Sequence, residues 1–93
     1  MRLDVFLKLS RLEPRRTLAQ QMCEAGAIHI NGAKAKSARE VRTGDLIVLR
    51  RRGRLITVRV TDIPEKPPSK AQASTMYETI SVTTYEPEFH QDP

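Results

Sequence analysis

Apolar residues recur every three or four positions from Leu3 to Leu12, with charged side chains between them. Because residues at this spacing share one face of a helix, the pattern predicts an amphipathic helix over residues 3–12. Asp4 lies in the first turn of this helix. A carboxylate there complements the positive end of the helix dipole, so that role and a contact to a ligand are equally open.

A second helical pattern follows Pro14 and begins at about Arg15. Gly26 ends it, as glycine commonly does after the last turn of a helix. Because so few residues separate the two helices, we expect them to pack as a helical hairpin against a common core. Cys23, the single cysteine of the chain, lies on the core side of this helix. It is interpreted as a small buried apolar residue rather than a reactive thiol, and it excludes an intrachain disulfide.

The period of the pattern changes from helical to alternating after the second helix. Ile28 and Ile30 alternate with other residues, and Asn31-Gly32 is a strong signal for a two-residue hairpin turn. Further strands are expected over residues 33–36, 46–49 and 55–60. The predicted fold class is therefore α+β, with a helical hairpin packed on a small, mainly antiparallel, twisted sheet.

The composition changes again at Pro64, where the stretch PEKPPSK indicates a proline-broken linker that cannot continue the sheet. A short helix is expected over residues 71–80, with Met76, Tyr77 and Ile80 on an apolar edge that either folds back on the domain or contacts a partner. The acidic residues beyond it predict a disordered tail. The chain thus divides into a domain over residues 1–63 and an extension over residues 64–93.

Charge is distributed unevenly between these parts. Residues 1–61 hold 14 Lys and Arg against 5 Asp and Glu, whereas residues 62–93 hold 2 against 6, within a total net charge of +5. Arg accounts for 11 of the 16 cations, and its planar guanidinium group suits forked contacts to phosphate. The basic part therefore favours a nucleic-acid partner, while a role of this charge in solubility alone remains the alternative.

Three basic features have a structural and a functional interpretation. Arg15 and Arg16 stand at the electrostatically unfavourable start of the second helix, which favours a joint contact of guanidinium and backbone N–H groups to one phosphate over an incidental exposed pair. The arginine-rich segment 50–54 is either a second RNA surface or a solvated hairpin tip. His29 is either a surface residue that contacts RNA or a residue without a role.

Patterns typical of catalytic and metal sites are missing from the sequence. It has no paired carboxylates, no Ser/His/Asp set, no phosphate-binding glycine loop and no ligand spacing around its two His. We expect a protein that is not an enzyme and that holds no cofactor and no metal. No apolar run reaches the roughly 20 residues that span a bilayer, and the N-terminus lacks the apolar segment of a signal peptide, so we expect a cytoplasmic protein without membrane contact. We also expect a monomer.

Three stretches resemble the alpha-L, or S-four, RNA-binding domain family: MRLDVFLKLSRL, RRTLAQQM and AGAIHINGAKAKSAREVRTGDLIVL. The opening RLD, the RRTLA run and the late pair MY resemble more narrowly the stand-alone RqcP branch of that family. The resemblance covers residues 1 to about 80. Val5 departs from it, because the family commonly has a Lys after the Asp.

The resemblance implies an RNA-binding factor of bacterial ribosome quality control that acts on obstructed large subunits carrying peptidyl-tRNA. It implies an RqcH-type tailing factor as a partner, which adds C-terminal alanines to stalled chains. The implied principal rRNA contacts are Arg2 and Arg16. The implied supporting contacts are Lys8, Arg11 and Arg15, and the other RNA-facing edge consists of Lys34, Lys36, Ser37 and Arg39. The alternative is a heat-shock or ribosome-assembly RNA-binding protein that acts on free large subunits.

Overall fold

Two short helices open the chain in the computed structural model, which describes residues 1–84. Helix α1 spans Leu3–Leu9 and helix α2 spans Arg16–Glu24. The first helix is shorter than the predicted range of 3–12 because Ser10 caps it and Arg11 takes a left-handed backbone with φ 66°. A residue in that conformation ends the helix.

Gly26 ends α2 as predicted, with φ 76°. Its N–H donates to the carbonyl oxygen of Cys23 at 3.0 Å, and the N–H of Ala27 donates to that of Met22 at 2.9 Å. These two bonds satisfy carbonyl groups that the end of the helix would otherwise leave free. The positive φ favours glycine here, and a Cβ at this position would lie 3.1 Å from Lys34 Cε, so the flexible Lys34 side chain would have to shift slightly.

The strands form one antiparallel sheet of five, which confirms the α+β class. They are β1 (Ile28–Ile30), β2 (Ala33–Lys34), β3 (Leu46–Arg51), β4 (Arg54–Val60) and β5 (Tyr77–Thr84), in the spatial order β2-β1-β3-β4-β5. The return strand predicted over 33–36 ends at Lys34. The chain then turns away to contact the start of α1.

Two of the connections are two-residue turns with the same backbone conformation. Asn31 and Gly32 join β1 to β2 with φ 51° and 87°, and Arg52 and Gly53 join β3 to β4 with φ 49° and 76°. Positive φ at both positions matches the twist of the flanking strands. The first turn uses the residue pair that this conformation favours, whereas the second places an Arg where Asn is preferred.

The C-terminal extension differs from its prediction. The helix expected over 71–80 is only α3 (Lys70–Ala73) with a 3-10 turn at Ser74–Met76, and residues from Tyr77 onward form β5. Ser69 and Gln72 cap α3 reciprocally. The following residues are mostly β-branched or aromatic, and the free edge of β4 offers them hydrogen bonds. They therefore pair with β4 as a strand and do not continue the helix.

The extension also contributes to the core, because Met76 is fully buried. Residues 81–84, expected in the disordered tail, belong to β5 and pair with β4. The remainder of that predicted tail, residues 85–93, lies outside the described residues. The division at residue 63 into a binding domain and an extension stays a prediction.

The core lies between the helical hairpin and one face of the sheet. Leu3, Phe6 and Leu7 of α1 pack with Ala19 and Cys23 of α2. The strands and connections supply Ile28, Ile30, Ala35, Val41, Ile47, Leu49, Val58 and Val60. Burial of Cys23 confirms its apolar role and raises the pKa of its thiol, as does the charge of Asp4. None of the helices within residues 1–84 is long and apolar enough to cross a membrane.

Candidate nucleic-acid interface

A buried carboxylate, Asp4, organises the start of both helices. Its Oδ1 accepts from Arg2 Nε at 3.1 Å and from the backbone N–H of Val5 at 2.9 Å. Its Oδ2 accepts from Gln20 Nε2 at 2.8 Å, from Arg2 Nη2 at 3.2 Å and from Arg16 Nε at 3.3 Å. Asp4 is fully buried in the first turn of α1, where the bond from Val5 agrees with the dipole role, and its other bonds come from Arg2, Arg16 and Gln20.

The hydrogen bonds keep Asp4 ionised. Burial alone raises the pKa of a carboxyl group, but the bonds from Gln20, Arg2 and Arg16 and the charge of Arg16 outweigh it. The pKa of Asp4 is lowered from 3.8 to about 2. At neutral pH the group is therefore a fixed anion that holds two guanidinium groups together.

Arg2 and Arg16 each point only one edge at Asp4. Their side chains remain 48% and 47% exposed. Arg2 uses Nε and Nη2, and Arg16 uses Nε alone, so the other guanidinium nitrogens have no hydrogen-bond partner among residues 1–84. Two oriented, half-exposed guanidinium groups can donate to phosphate oxygens at a small entropic cost, because their orientation is already set.

The segment after β2 lies against the first turn of α1. The N–H of Leu3 donates to the carbonyl oxygen of Arg39 at 2.8 Å, and that of Asp4 donates to that of Ser37 at 3.1 Å. A β-bridge between Arg2 and Glu40 continues this contact. The backbone of the predicted residues Lys36, Ser37 and Arg39 is thereby brought beside Arg2 and Arg16, although at least 20 positions of the chain separate the segment from either arginine.

Lys34 and His29 are neighbours on the adjoining hairpin. Their Cα atoms are cross-strand partners in β1 and β2, as the Asn31-Gly32 turn predicts. Lys34 is exposed, and its aliphatic chain lies close to Gly26 at the end of α2. The C-terminal end of a helix attracts a cation, which accounts for this position without a ligand. Roles of Lys34 and His29 in RNA binding stay predictions.

Lys8 and Arg11 lie elsewhere. Both line a cleft together with Leu9, Pro68 and Lys70, at the end of α1 opposite to Arg2. Arg2 and Lys8 are about 9 Å apart along the helix axis, from the rise of 1.5 Å per residue. The structure thus places these two predicted residues away from Arg2 and beside Pro14 in the connection between the helices, and their role in RNA binding stays a prediction.

A second buried carboxylate, Glu13, lies in the connection between α1 and α2. Its Oε2 accepts from the backbone N–H of Arg15 at 3.0 Å, and its Oε1 lies 3.3 Å from Arg51 Nη2. Arg51 Nη1 also donates to the carbonyl oxygen of Leu12 at 2.7 Å. Arg51 therefore ties the β3–β4 hairpin to the connection between the helices. The side chain of Arg15 itself is exposed, next to Arg16.

Sequence reasoning missed Gln20 and Glu13 and underestimated Asp4. Arg16 and Gln20 stand four positions apart and thus share a face of α2, and this spacing was the available signal for a common acceptor. Nothing in the local sequence indicated that Glu13 would be buried against an arginine from a distant strand. Clusters of His, Cys, Asp or Glu that could hold a metal are not found in the part of the chain that the structure describes.

Comparisons with known proteins identify the family of this chain. The family model described as S4 domain matches residues 1–47. The chain is 50% identical to the "RQC P-site tRNA stabilizing factor" of Halalkalibacterium halodurans over 84% of this chain and 88% of that protein. Identity to the factor of the same name from Bacillus subtilis is 44%, over 83% and 88% of the two chains.

The chain belongs to the S4-domain family of RQC P-site tRNA stabilizing factors, the RqcP family.

A solved structure supports the fold of this S4-family member. The chain matches the trimeric structure of Vibrio cholerae heat shock protein 15 with a TM-score of 0.79 and 31% sequence identity, over 87% of this chain and 82% of that one. The S4 match includes the whole of α1, α2 and the segment 36–41 that packs on α1. The Asp4-held arginines therefore lie within the matched part, whereas the β3–β4 turn and the C-terminal extension lie beyond it.

Proposed function

We propose that this protein is a non-enzymatic RNA-binding factor of bacterial ribosome quality control. It binds obstructed large ribosomal subunits that carry peptidyl-tRNA, and it supports the alanine tailing of stalled chains by an RqcH-type factor. It contacts large-subunit rRNA and tRNA and therefore works in the cytoplasm on ribosomes. The names of its relatives, which refer to stabilising P-site tRNA, support the tRNA part of this proposal.

The observation that carries the proposal is the pair Arg2 and Arg16 held by buried Asp4. This arrangement presents oriented guanidinium hydrogen-bond donors and no group that would carry out a reaction. Such a surface lowers the free energy of one arrangement of bound RNA, and a longer-lived complex gives an incoming factor time to act. Aromatic residues form only 4% of the chain, so backbone and shape contacts to folded RNA are favoured over stacking on splayed bases.

An affinity purification from cells tests the proposal directly. Tagged protein should recover large subunits enriched in peptidyl-tRNA relative to total large subunits. Recovery of large subunits without peptidyl-tRNA, or of none, would reject the quality-control role. A tagged Arg16→Ala variant serves as the matched control for adventitious binding of ribosomes.

A second function is supported by the structural likeness to heat shock protein 15. As a heat-shock or assembly protein, this chain would bind free large subunits or their precursors. The same purification separates the two functions, because peptidyl-tRNA accompanies the subunits only in quality control. Heat induction of the transcript would favour the second function.

Salt dependence tests whether phosphates are the ligand. If about five phosphates are neutralised, the logarithm of the affinity should fall against the logarithm of salt concentration with a slope of about −4. Titrations of purified large subunits at several potassium chloride concentrations measure the slope. An affinity that is indifferent to salt would contradict a phosphate-binding surface.

A further inference from the structure

The Arg52-Gly53 turn has an unfavourable residue for its conformation. The Asn31-Gly32 turn has the same backbone, and Asn31 also uses its side chain there, because Oδ1 accepts from the N–H of Leu46 at 3.0 Å and Nδ2 donates to Asp45 at 3.1 Å. Arg52 gains no such bond within residues 1–84 and still adopts φ 49°. Non-glycine residues in left-handed backbone are costly and concentrate at functional sites.

Like charges crowd this turn. Arg51 and Arg54 are direct cross-strand partners, and Arg52 lies between them in the chain. Like charges in such a pair destabilise a sheet. Of these three arginines, Arg51 is compensated through Glu13, whereas Arg52 and Arg54 form no ion pair with the carboxylates of residues 1–84. The arrangement is unfavourable for stability and favourable for binding an anion.

The arginines of this turn line a cleft. A cleft of about 320 Å³ is lined by Arg51, Arg52, Arg54 and Ile56. Arg51 is fixed at its inner side by the carbonyl oxygen of Leu12 and by Glu13. A hairpin turn that only contacted solvent would not require Arg51 to be held in place at its inner side.

The cleft adjoins the start of α2. Glu13, which lies beside Arg51, also accepts the backbone N–H of Arg15, the neighbour of Arg16. A second cleft, lined by Leu18, Met22 and Arg50–Arg52, runs between α2 and the hairpin. The hairpin arginines are therefore connected to the Asp4-held pair through the start of α2.

We infer that the β3–β4 turn is a second RNA contact, in which Arg52 and Arg54 bind backbone phosphates and Arg51 is a positioning residue. The inference rests on the proposed function, because it extends the same binding surface from the helices to the sheet. RNA is favoured over an acidic protein because the surface consists of forked guanidinium groups and is joined to the start of α2 through Arg51 and Glu13. Two separated contacts fix the orientation of the protein on its RNA, which one contact does not.

The turn conformation supplies a sharp test. The double variant Arg52→Asn/Arg54→Gln removes two cations but places the preferred Asn in the turn. Its melting temperature should equal or exceed that of the wild type, so a loss of binding cannot be assigned to unfolding. Affinity for large subunits with tRNA in the P site should fall about tenfold, and the salt slope should become shallower by about 1.5.

The control variant is Arg59→Gln/Lys66→Gln, which changes the net charge equally. Arg59 is exposed on β4, about 17 Å along the strand from Arg54, and Lys66 is exposed in the proline-rich linker. This variant should bind within about twofold of the wild type, as expected for cations without a phosphate contact. An equal loss in both variants would overturn the inference, because it would show a general effect of charge.

Large subunits with and without P-site tRNA distinguish the RNA that the turn contacts. A loss on both kinds of subunit assigns the contact to rRNA, and a loss only on tRNA-bearing subunits assigns it to tRNA. Wild-type affinity of the turn variant on both would overturn the inference. If Arg16→Ala still loses binding in that case, the proposed function stands. If the wild type itself does not bind, the proposed function fails first.

Discussion

Two buried carboxylates organise arginines in this protein, and they do so with different results. Asp4 accepts five hydrogen bonds and holds Arg2 and Arg16 about half exposed. Glu13 accepts one backbone N–H and lies beside Arg51, which is 29% exposed and also donates to a backbone carbonyl. The first carboxylate presents cations to solvent, and the second turns a cation inward to join the sheet to the helices.

The difference shows that the number of arginines on a surface does not identify a binding site. What matters is how many guanidinium nitrogens the protein leaves free after orienting the group. Asp4 leaves most of the donors of Arg16 free. In Arg51, by contrast, one nitrogen donates to the carbonyl oxygen of Leu12 and another forms the ion pair with Glu13. Predicted binding residues therefore divide into presented and anchored cations, and mutations should separate the two.

The largest effect is expected for Arg16→Ala. It removes a presented guanidinium group and should abolish detectable cosedimentation with large subunits. The free energy of unfolding should change by less than about 1 kcal/mol, because the ion pair of Arg16 is half exposed. Cosedimentation and urea unfolding measure the two quantities, with Arg59→Gln as the control. Wild-type affinity in Arg16→Ala would reject the contact.

Asp4→Asn tests orientation against charge. The substitution raises the net charge by one, so charge alone would strengthen RNA binding. We expect the opposite, a severalfold weaker affinity, because Arg2 and Arg16 lose the anion that orients them. Stability should fall by about 2 kcal/mol, the energy that corresponds to the lowered pKa. Tighter binding by this variant would show that orientation is unimportant.

The pH dependence of stability isolates the same group. Because the pKa of Asp4 is lowered from 3.8 to about 2, its contribution is complete above about pH 4 and is lost as the pH falls through 2. The free energy of unfolding should therefore decrease between pH 4 and 2 by about 2 kcal/mol more in the wild type than in Asp4→Asn. Chemical denaturation at several pH values measures this, and parallel curves for the two proteins would contradict it.

Glu13→Gln should have the smallest effect on binding. The variant keeps an oxygen for the N–H of Arg15 but leaves Arg51 without its anion, so we expect a loss of stability of about 1 to 2 kcal/mol. Affinity for large subunits should fall less than in Asp4→Asn, because Arg2 and Arg16 keep their acceptor. An affinity loss larger than that of Asp4→Asn would reverse the assigned roles of the two carboxylates.

The elements that depend on residues close together in the chain follow from the sequence alone. Helical spacing gave both helices, Gly26 gave the end of α2, and Asn31-Gly32 gave the first hairpin and the pairing of His29 with Lys34. The charge pattern and the resemblance to the S-four family predict an RNA partner, and the family is confirmed. Each of these signals depends on residues within a few positions of one another.

Tertiary structure alone decided the features that depend on distant residues. The C-terminal extension became strand because the edge of β4 was free to pair, which its own residues could not reveal. Arg2 and Arg16 came together because the helical hairpin folds both onto Asp4, while Lys8 and Arg11 lie at the opposite end of α1. Burial of a charge requires partners that surround it, and such partners are chosen by the packing of the whole chain rather than by neighbours in sequence.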